Sequence, residues 1–237
     1  MEAKRTTRKP FLIGIIVTIL FSCTAATAAN KVVVIPLKSN TAPCTGVDEV
    51  FSAGQCWKDR NLGASQVATS MSDSAAYGDY YQWGRLGDGH QNKTSQNYAL
   101  QPSANDSPGH PYFITVSNPP FDWRNPQNDI LWQGLGGINN PCPQGFRIPT
   151  IAEWQTEMAS WSSSDAAGAF ASPLKLVLAG LRSYTDGAIS GADSYGDYWS
   201  STTFGADLAT AIGFGASSSL LFGTDRANGL SIRCIKD

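Results

Sequence analysis

Four cysteines, all beyond residue 30, have the most evident chemistry in this sequence, because their thiols could pair as disulfides or bind zinc. A zinc site is disfavoured, since no CxxC pair is present and His90 and His110 lie in an unrelated loop. An even number of cysteines in an exported chain indicates two disulfides, and four cysteines allow three connectivities. We favour the nested pairing, in which Cys44 pairs with Cys56 and Cys142 with Cys234.

Residues 204–225 offer little to a chemical reaction. The stretch FGADLATAIGFGASSSLLFGTD contains no nucleophile beside a base, no paired carboxylates and no His or Cys. The more distinctive segments YGDYWSSTT and RANGLSIRCIKD enclose it. We therefore interpret residues 204–225 as a surface that presents side chains to a partner, and we do not expect an enzyme.

Residues 1–28 are predicted to be an export signal. Four basic residues precede an apolar run at residues 11–21, which is too short to span a bilayer core of ~30 Å as a helix. The sequence LFSC, which ends at Cys23, resembles a lipobox, whereas ATA at residues 26–28 fits ordinary secretion. We favour lipidation of Cys23, and hence a lipid anchor in the membrane and a place on the outer surface of the cell envelope. Secretion is the alternative.

The charge balance restricts the class of partner. The chain carries a formal charge of −2 and residues 1–28 carry +3, so the remainder carries −5. An acidic domain of this kind is not expected to bind nucleic acid or an anionic lipid surface. Residues 31–37, KVVVIPL, favour a strand interrupted by Pro36, so residues 29–43 are predicted to be a short strand or stalk. Residues 44–237 are then long enough for one large domain.

The clearest predicted helix begins after Thr150. Thr150 and Glu153 have the spacing of a capping box, and Pro149 prevents the helix from starting earlier. The apolar residues then recur on one face, which indicates that this face packs in the core rather than holding a ligand. They are Ile151, Trp154, Met158 and Trp161.

Strands are predicted on both sides of residues 204–225, and most of residues 71–137 is predicted to be loop. The predicted strands are residues 174–181, 210–214 and 229–235. Because neighbouring side chains on a strand point to opposite faces, Ile212 and Phe214 are expected in the core. Ala211, Gly213 and Gly215 are expected to face outward.

Five short motifs together resemble the bacterial FISUMP family, the major paralogous domain named from Fibrobacter. They are DRNLGAS, YGDYYQWGR, NPCPQGFRIPTIAEW, YWSSTT and SIRCIKD, in the order that the family shows. That family looks like a branch of the C-type lectin-like fold. The resemblance implies a compact α+β domain with one or two helices packed on small antiparallel sheets, long loops and two disulfides. It also implies that a ligand is held on the long-loop face and the strands nearby.

The resemblance bears on cofactors as well. The EPN, QPD and WND triplets of calcium-dependent sugar binders are missing, so recognition of sugars through calcium is not expected. Scattered aspartates could hold a structural calcium ion, but aspartates in Gly-rich segments are more typical of turns, and no cofactor is expected. The aspartates concerned are Asp79, Asp88, Asp193 and Asp197.

The segment RIPTIAEW also resembles formylglycine-generating enzymes, which work through a reactive pair of cysteines. The thiols in question here, Cys142 and Cys234, are better interpreted as a structural bridge. This enzymatic activity is therefore disfavoured.

A narrower resemblance concerns the segments that enclose residues 204–225. YWSST, the A-x-x-I-x-F spacing of Ala209, Ile212 and Phe214, and RANGLSIRC resemble the variable region of target proteins of diversity-generating retroelements. In such proteins a reverse transcriptase with adenine-directed errors rewrites selected codons while the fold stays constant. The alternative is an ordinary low-complexity loop. The residues predicted to bind a ligand are Tyr195, Asp197, Phe204, Ala211, Gly213, Gly215, Ser218, Leu220, Phe222 and Asp225.

Two functions are consistent with these patterns. The first is a lipid-anchored surface protein that binds a protein or glycan on another cell surface. The second is a structural envelope protein whose aromatic-rich loops pack against its neighbours.

Overall fold

The computed structural model describes residues 44–99 and 101–237. The predicted export signal, the lipidation site at Cys23 and the strand or stalk at residues 29–43 lie outside the described residues. The architecture is mixed α+β, as predicted, with small and mostly antiparallel sheets. In this part of the chain no helix has both the length and the apolar character needed to cross a membrane.

The helices are short, and three long strands lie near the C-terminus. The helices are α1 (Ile151–Ala159) and α2 (Ala166–Ala171), with a 3-10 turn at Ser74–Ala76. The strands are β1 (Glu49–Ser52), β2 (Gln55–Lys58), β3 (Tyr81–Gln82), β4 (Asn97–Tyr98), β5 (Phe113–Ile114), β6 (Phe146–Arg147), β7 (Leu181–Arg182), β8 (Ile189–Ser190), β9 (Tyr195–Phe204), β10 (Leu208–Gly215), β11 (Ser219–Asp225), β12 (Gly229–Leu230) and β13 (Ile235–Lys236).

Within the described residues the strands form four sheets, with the orders β1-β2-β13-β6, β11-β10-β9, β3-β12-β7-β8 and β4-β5. In the first sheet β13 lies between β2 and β6, so the two ends of the described chain meet. The β4-β5 pair is parallel and belongs to the long loop region.

The β11-β10-β9 sheet has β10 at its centre, antiparallel to both neighbours. A bulge interrupts the register between β9 and β10. Ala209 pairs with Thr203, whereas Ala211 pairs with Trp199, so β9 carries extra residues here. A bulge of this kind bends the strand and increases its twist.

Helix α1 begins as predicted. The Thr150 hydroxyl oxygen accepts a hydrogen bond from the Glu153 N–H, and the Glu153 carboxylate accepts one from the Thr150 N–H at 2.7 Å. Trp154 is fully buried and donates its indole N–H to the Trp199 carbonyl oxygen at 3.1 Å. Trp161 packs edge-on against Phe214. Both tryptophans therefore face the core, as predicted, and attach the helix to the β11-β10-β9 sheet.

The predicted strand at residues 174–181 is wrong, although most of this segment is buried. Only Leu181 belongs to a strand, β7. The other backbone groups make single hydrogen bonds to separate parts of the chain, such as the bond from the Leu178 N–H to the Met71 carbonyl oxygen. A buried backbone needs partners, and here it finds them without forming a ladder.

The predicted strand at residues 229–235 is divided into β12 and β13. β12 pairs with β3 and β7, whereas β13 pairs with β2 and β6. Between them Ser231 bridges to β9, since its carbonyl oxygen accepts from the Trp199 N–H and its N–H donates to the Asp197 carbonyl oxygen. Residues 229–236 therefore connect three sheets: β12 belongs to the β3-β12-β7-β8 sheet, Ser231 bridges to the β11-β10-β9 sheet, and β13 belongs to the β1-β2-β13-β6 sheet.

A buried arginine connects these sheets further. Arg233 donates to the Asn61 Oδ1 at 2.9 Å and to the Leu174 carbonyl oxygen at 2.6 Å. Asn61 donates to the Tyr198 hydroxyl at 3.0 Å, and that hydroxyl also accepts from the Val177 N–H at 2.9 Å. Burial lowers the pKa of Arg233 to about 10, so the guanidinium stays charged near neutral pH.

Both predicted disulfides are present. Cys44–Cys56 spans 12 residues and closes the β1-β2 hairpin, with its Cα atoms 5.6 Å apart. Cys142–Cys234 spans 92 residues and joins the segment before β6 to the segment before β13, with its Cα atoms 5.9 Å apart. These Cα distances are typical of disulfides.

Replacing Cys142 and Cys234 together by Ser is expected to destabilise the domain by about 4 to 5 kcal/mol, because the bridge restricts a long loop in the unfolded chain. Replacing Cys44 and Cys56 together by Ser should cost less, about 3 kcal/mol, because that loop is short. Urea denaturation of the two double variants measures the difference. An equal or smaller loss for the long bridge would contradict this ranking.

Candidate functional site

The two histidines are engaged in packing and hydrogen bonds. His90 is fully buried, its Nδ1 lies 2.7 Å from the Asp88 carboxylate, and its Nε2 accepts from the Gln82 N–H. Burial lowers the pKa of His90 to about 4, which keeps the ring neutral near pH 7. His110 packs against the Tyr98 ring at 4.6 Å. Both rings thus help to order the long loop region.

The aspartates considered as calcium ligands serve separate local structures. Asp88 pairs with Arg85 at 2.9 Å, and Asp193 accepts a hydrogen bond from the Tyr77 hydroxyl. Among the residues that the structure describes, one group of three potential metal ligands lies within 4.8 Å, and two of its members form a disulfide. That group consists of Cys44, Glu49 and Cys56.

Seven of the ten residues predicted to bind a ligand come together on one face of the β11-β10-β9 sheet. Directly paired residues of neighbouring antiparallel strands share a face. The pairs are Gly215 with Tyr195, Gly213 with Asp197 and with Leu220, and Ala211 with Phe222. We call these seven residues the display face.

The other three predicted residues, Phe204, Ser218 and Asp225, lie outside the display face. Phe204 and Asp225 both pair with Leu208, at the opposite end of the sheet from Tyr195. Phe204 is 53% exposed, and Ser218 is exposed in the turn between β10 and β11. The predicted site is thus divided into the display face, the turn and the far end of the sheet.

The expectation that Ala211 and Gly213 face solvent is wrong. Ala211 is fully buried in a core cluster with Trp199, against which Phe222 packs, and Gly213 is also buried. The reason is that a second core cluster, which includes Trp199 and Leu230, packs against this face of β10 at Ala211. Gly215 is only half-buried. The complementary expectation is confirmed, since Ile212 and Phe214 lie in the other core cluster, beside α1.

Gly213 allows two side chains to meet above the sheet. A Cβ atom at this position would lie 2.9 Å from the Asp197 Oδ1 and 2.9 Å from the Phe222 Cε1, closer than carbon atoms normally approach either atom. The Asp197 carboxyl group and the edge of the Phe222 ring therefore occupy the space over Gly213. The edge of an aromatic ring carries partial positive charge, which favours an acidic neighbour.

Asp197 is the most unusual ionisable group of the display face. It is 7% exposed, and within the described residues no hydrogen bond or ion pair reaches its carboxyl group. Burial alone raises the pKa of Asp197 to about 7. The sequence indicated Asp197 as a binding residue, but this raised pKa depends on the packing of Gly213 and Phe222 and has no sequence signature.

Apolar and aromatic side chains surround Asp197 on the display face. Leu220 is 51% exposed, and Phe222 and Tyr195 are half-buried. The Tyr195 ring lies over Gly191, where a Cβ atom would overlap it. The display face therefore has the glycines of β10 at its base, which we call the floor, and one buried acid, Asp197. The apolar side chains of Leu220, Phe222 and Tyr195 lie around them, and we call these the apolar rim.

A second concave region, beside the Cys142–Cys234 disulfide, was not indicated by the sequence. Its lining includes Asp59, Arg60 and Asn61. Arg60 pairs with Asp59 at 2.8 Å and with Asp48 at 2.9 Å, so its charge is already neutralised by the protein.

Comparison of the chain with known protein families, with curated proteins and with solved structures found no match. Membership of the FISUMP family and the C-type lectin-like fold stay predictions.

Ala211→Tyr is expected to destabilise the domain by about 2 kcal/mol or more, because the large ring must enter a filled core. Ser218→Tyr should change stability by less than about 0.5 kcal/mol, since Ser218 is exposed. Denaturation curves of the two variants test the burial of the face. Equal stability of both variants would place Ala211 at the surface.

Asp197→Asn is expected to stabilise the domain at alkaline pH. Because the pKa of Asp197 is raised on folding, its protonated form stabilises the wild-type protein below about pH 4, and this contribution is lost as the pH rises to 7. The variant should gain about 2 to 4 kcal/mol at pH 8, at about 1.4 kcal/mol per pKa unit, and little at pH 4. Thermal unfolding across this pH range measures it.

The exposed Asp207 provides the control for that experiment. Asp207→Asn changes the net charge equally and should show no comparable pH dependence. A pH-independent effect of Asp197→Asn would argue against a raised pKa.

Proposed function

We propose that this protein is an exported, lipid-anchored surface protein that binds a macromolecular ligand through the display face. The observation that carries the proposal is the exposed Leu220 side chain, with the half-buried Phe222 and Tyr195 rings, beside a buried acid that no described residue pairs with. Apolar side chains grouped at the surface mark interaction sites. The partner is a protein or glycan on another cell surface.

The frame that holds the display face is well suited to this function. β9 is fixed by the Asn61–Tyr198 hydrogen bond, and α1 packs on the opposite face through Trp154. A rigid frame reduces the entropy lost when a ligand binds. In the C-type lectin-like domain that we propose, side chains on the strands and the turn can then vary while the frame remains.

Diversification by a retroelement is part of this proposal, with a restriction that the packing imposes. Ser218 and Leu220 are exposed and tolerate many side chains. Ala211 and Gly213 are buried and do not. We therefore expect diversified positions at the turn and on β11 rather than on the floor of the face.

Leu220→Lys in the mature protein is expected to weaken binding to a panel of bacterial and host cells by about tenfold or more, because a positive charge is placed among the apolar side chains of the face. The matched control is Val47→Lys, which adds the same charge at a fully exposed apolar residue near β1. Flow cytometry with the fluorescently labelled protein measures binding. Equal binding by the wild-type protein and Leu220→Lys would exclude the display face.

A structural envelope protein is the second candidate, and one observation favours it. The loop after Asp129 exposes three apolar side chains, Ile130, Leu135 and Ile138, which could pack against a neighbouring envelope protein. In cells that make the full-length protein, release of Ile138→Asp from the envelope, together with no binding of the purified wild-type protein to the cell panel, would support this candidate instead.

A further inference from the structure

The carboxyl group of Asp197 has no hydrogen-bond or ion-pair partner among the described residues. Asp197 is more than nine-tenths buried, yet within the described residues nothing donates to its side chain. Burying a carboxyl group without a partner costs free energy, and buried polar groups are nearly always paired. An exception beside an exposed apolar side chain, Leu220, is therefore a candidate for ligand binding.

The surroundings of this carboxyl group define the chemistry of the ligand. Gly213 and Gly215 have no side chains to cover it from β10, and Phe222 contacts the same space over Gly213. Leu220 and Tyr195 provide apolar surface at the rim. A long apolar stem with a positively charged end would satisfy both parts, since the stem packs on the rim and the charge reaches the acid.

We propose that the display face captures a cationic side chain, lysine or arginine, of a protein partner, with its charged end on the Asp197 carboxylate. This inference rests on the proposed function and specifies its partner. The overall charge is complementary, because residues 29–237 carry a formal charge of −5, which attracts a basic surface. A metal ion fits less well, since calcium needs several oxygen ligands and, among the described residues, Asp197 belongs to no group of three potential metal ligands.

Few other charges face Asp197. β10 has no ionisable side chain, and β11 contributes only Asp225 at its far end. β9 contributes Tyr195 and Tyr198, the latter packed in the opposite core cluster. In the segment after β12, the Arg233 guanidinium is already bonded to Asn61 and to the Leu174 carbonyl oxygen. Titration near neutral pH at this face is therefore that of Asp197.

The pH dependence follows from the charge of the carboxyl group. Its pKa of about 7 leaves Asp197 largely neutral at pH 5.5 and ionised at pH 8.5, while lysine and arginine stay cationic at both. A cationic side chain should therefore bind more tightly as the pH rises. A neutral ligand would bind equally or better at low pH.

The test uses the mature protein and three matched probe peptides. Each peptide alternates glycine with one other residue, which is lysine, arginine or norleucine. Surface plasmon resonance is measured at pH 5.5 and 8.5. We expect the lysine or the arginine peptide to bind about tenfold or more tightly at pH 8.5, and the norleucine peptide to bind weakly at both pH values.

The variants separate a specific site from general attraction between opposite charges. Asp197→Asn should abolish the pH-dependent binding, whereas Asp207→Asn, which removes the same charge from an exposed turn, should retain it. Equal losses in both variants, or equal binding of the norleucine peptide, would overturn the inference. Circular dichroism confirms that each variant is folded.

A further measurement distinguishes this inference from the proposed function. Loss of cell binding in Asp197→Asn, together with loss upon acetylation of surface lysines and blocking of arginines, supports the cationic partner. If either change leaves binding intact while Leu220→Lys loses it, the face binds a ligand but not a cation on Asp197. If Leu220→Lys also binds those cells normally, the proposed function fails as well.

Discussion

The buried charge of Arg233 and its hydrogen bonds are the constraint on which the rest of the structure depends. A guanidinium in the core must have acceptors, since an unpaired buried charge is strongly destabilising. Its acceptors are the Asn61 side chain and the carbonyl oxygens of Lys58, at the end of β2, and of Leu174, in a loop distant in sequence. Through Asn61 the network also reaches the Tyr198 hydroxyl on β9. The position of the display face is thus set by polar contacts as much as by apolar packing.

The two faces of the β11-β10-β9 sheet have different surroundings. One face carries Ile212 and Phe214 and is covered by α1 and α2, which provides stability. The other face is closed at the Ala211 end by Trp199 and remains accessible near Gly215 and Leu220. The diversification that we propose needs this separation, because the residues that hold the sheet are then not those that would meet a ligand.

The sequence predicted those features that depend on local spacing. The Thr150–Glu153 capping box and the alternation of Ile212 and Phe214 follow from helix and strand periodicity, and both are present. The pairing of the cysteines agrees as well.

What could not be predicted depends on contacts between distant segments. Alternation assigned Ala211 and Gly213 to the face opposite the core, but it contains no information on whether a second core cluster covers that face. The apolar run at residues 174–181 looked like a strand because burial and strand formation give the same composition. The raised pKa of Asp197 likewise arises from a three-dimensional arrangement that Gly213 permits.

The position of β13 between β2 and β6 has a consequence for how the protein is made. Ile235 pairs with Trp57 and with Arg147, so the first sheet is incomplete until the ribosome has synthesised residues near position 235. Contacts this distant in sequence form late in folding, because a long loop must close first. In a nascent chain this sheet therefore stays open until synthesis is nearly complete. Export, as we propose it, requires a chain that has not yet folded, and this topology is suited to that requirement.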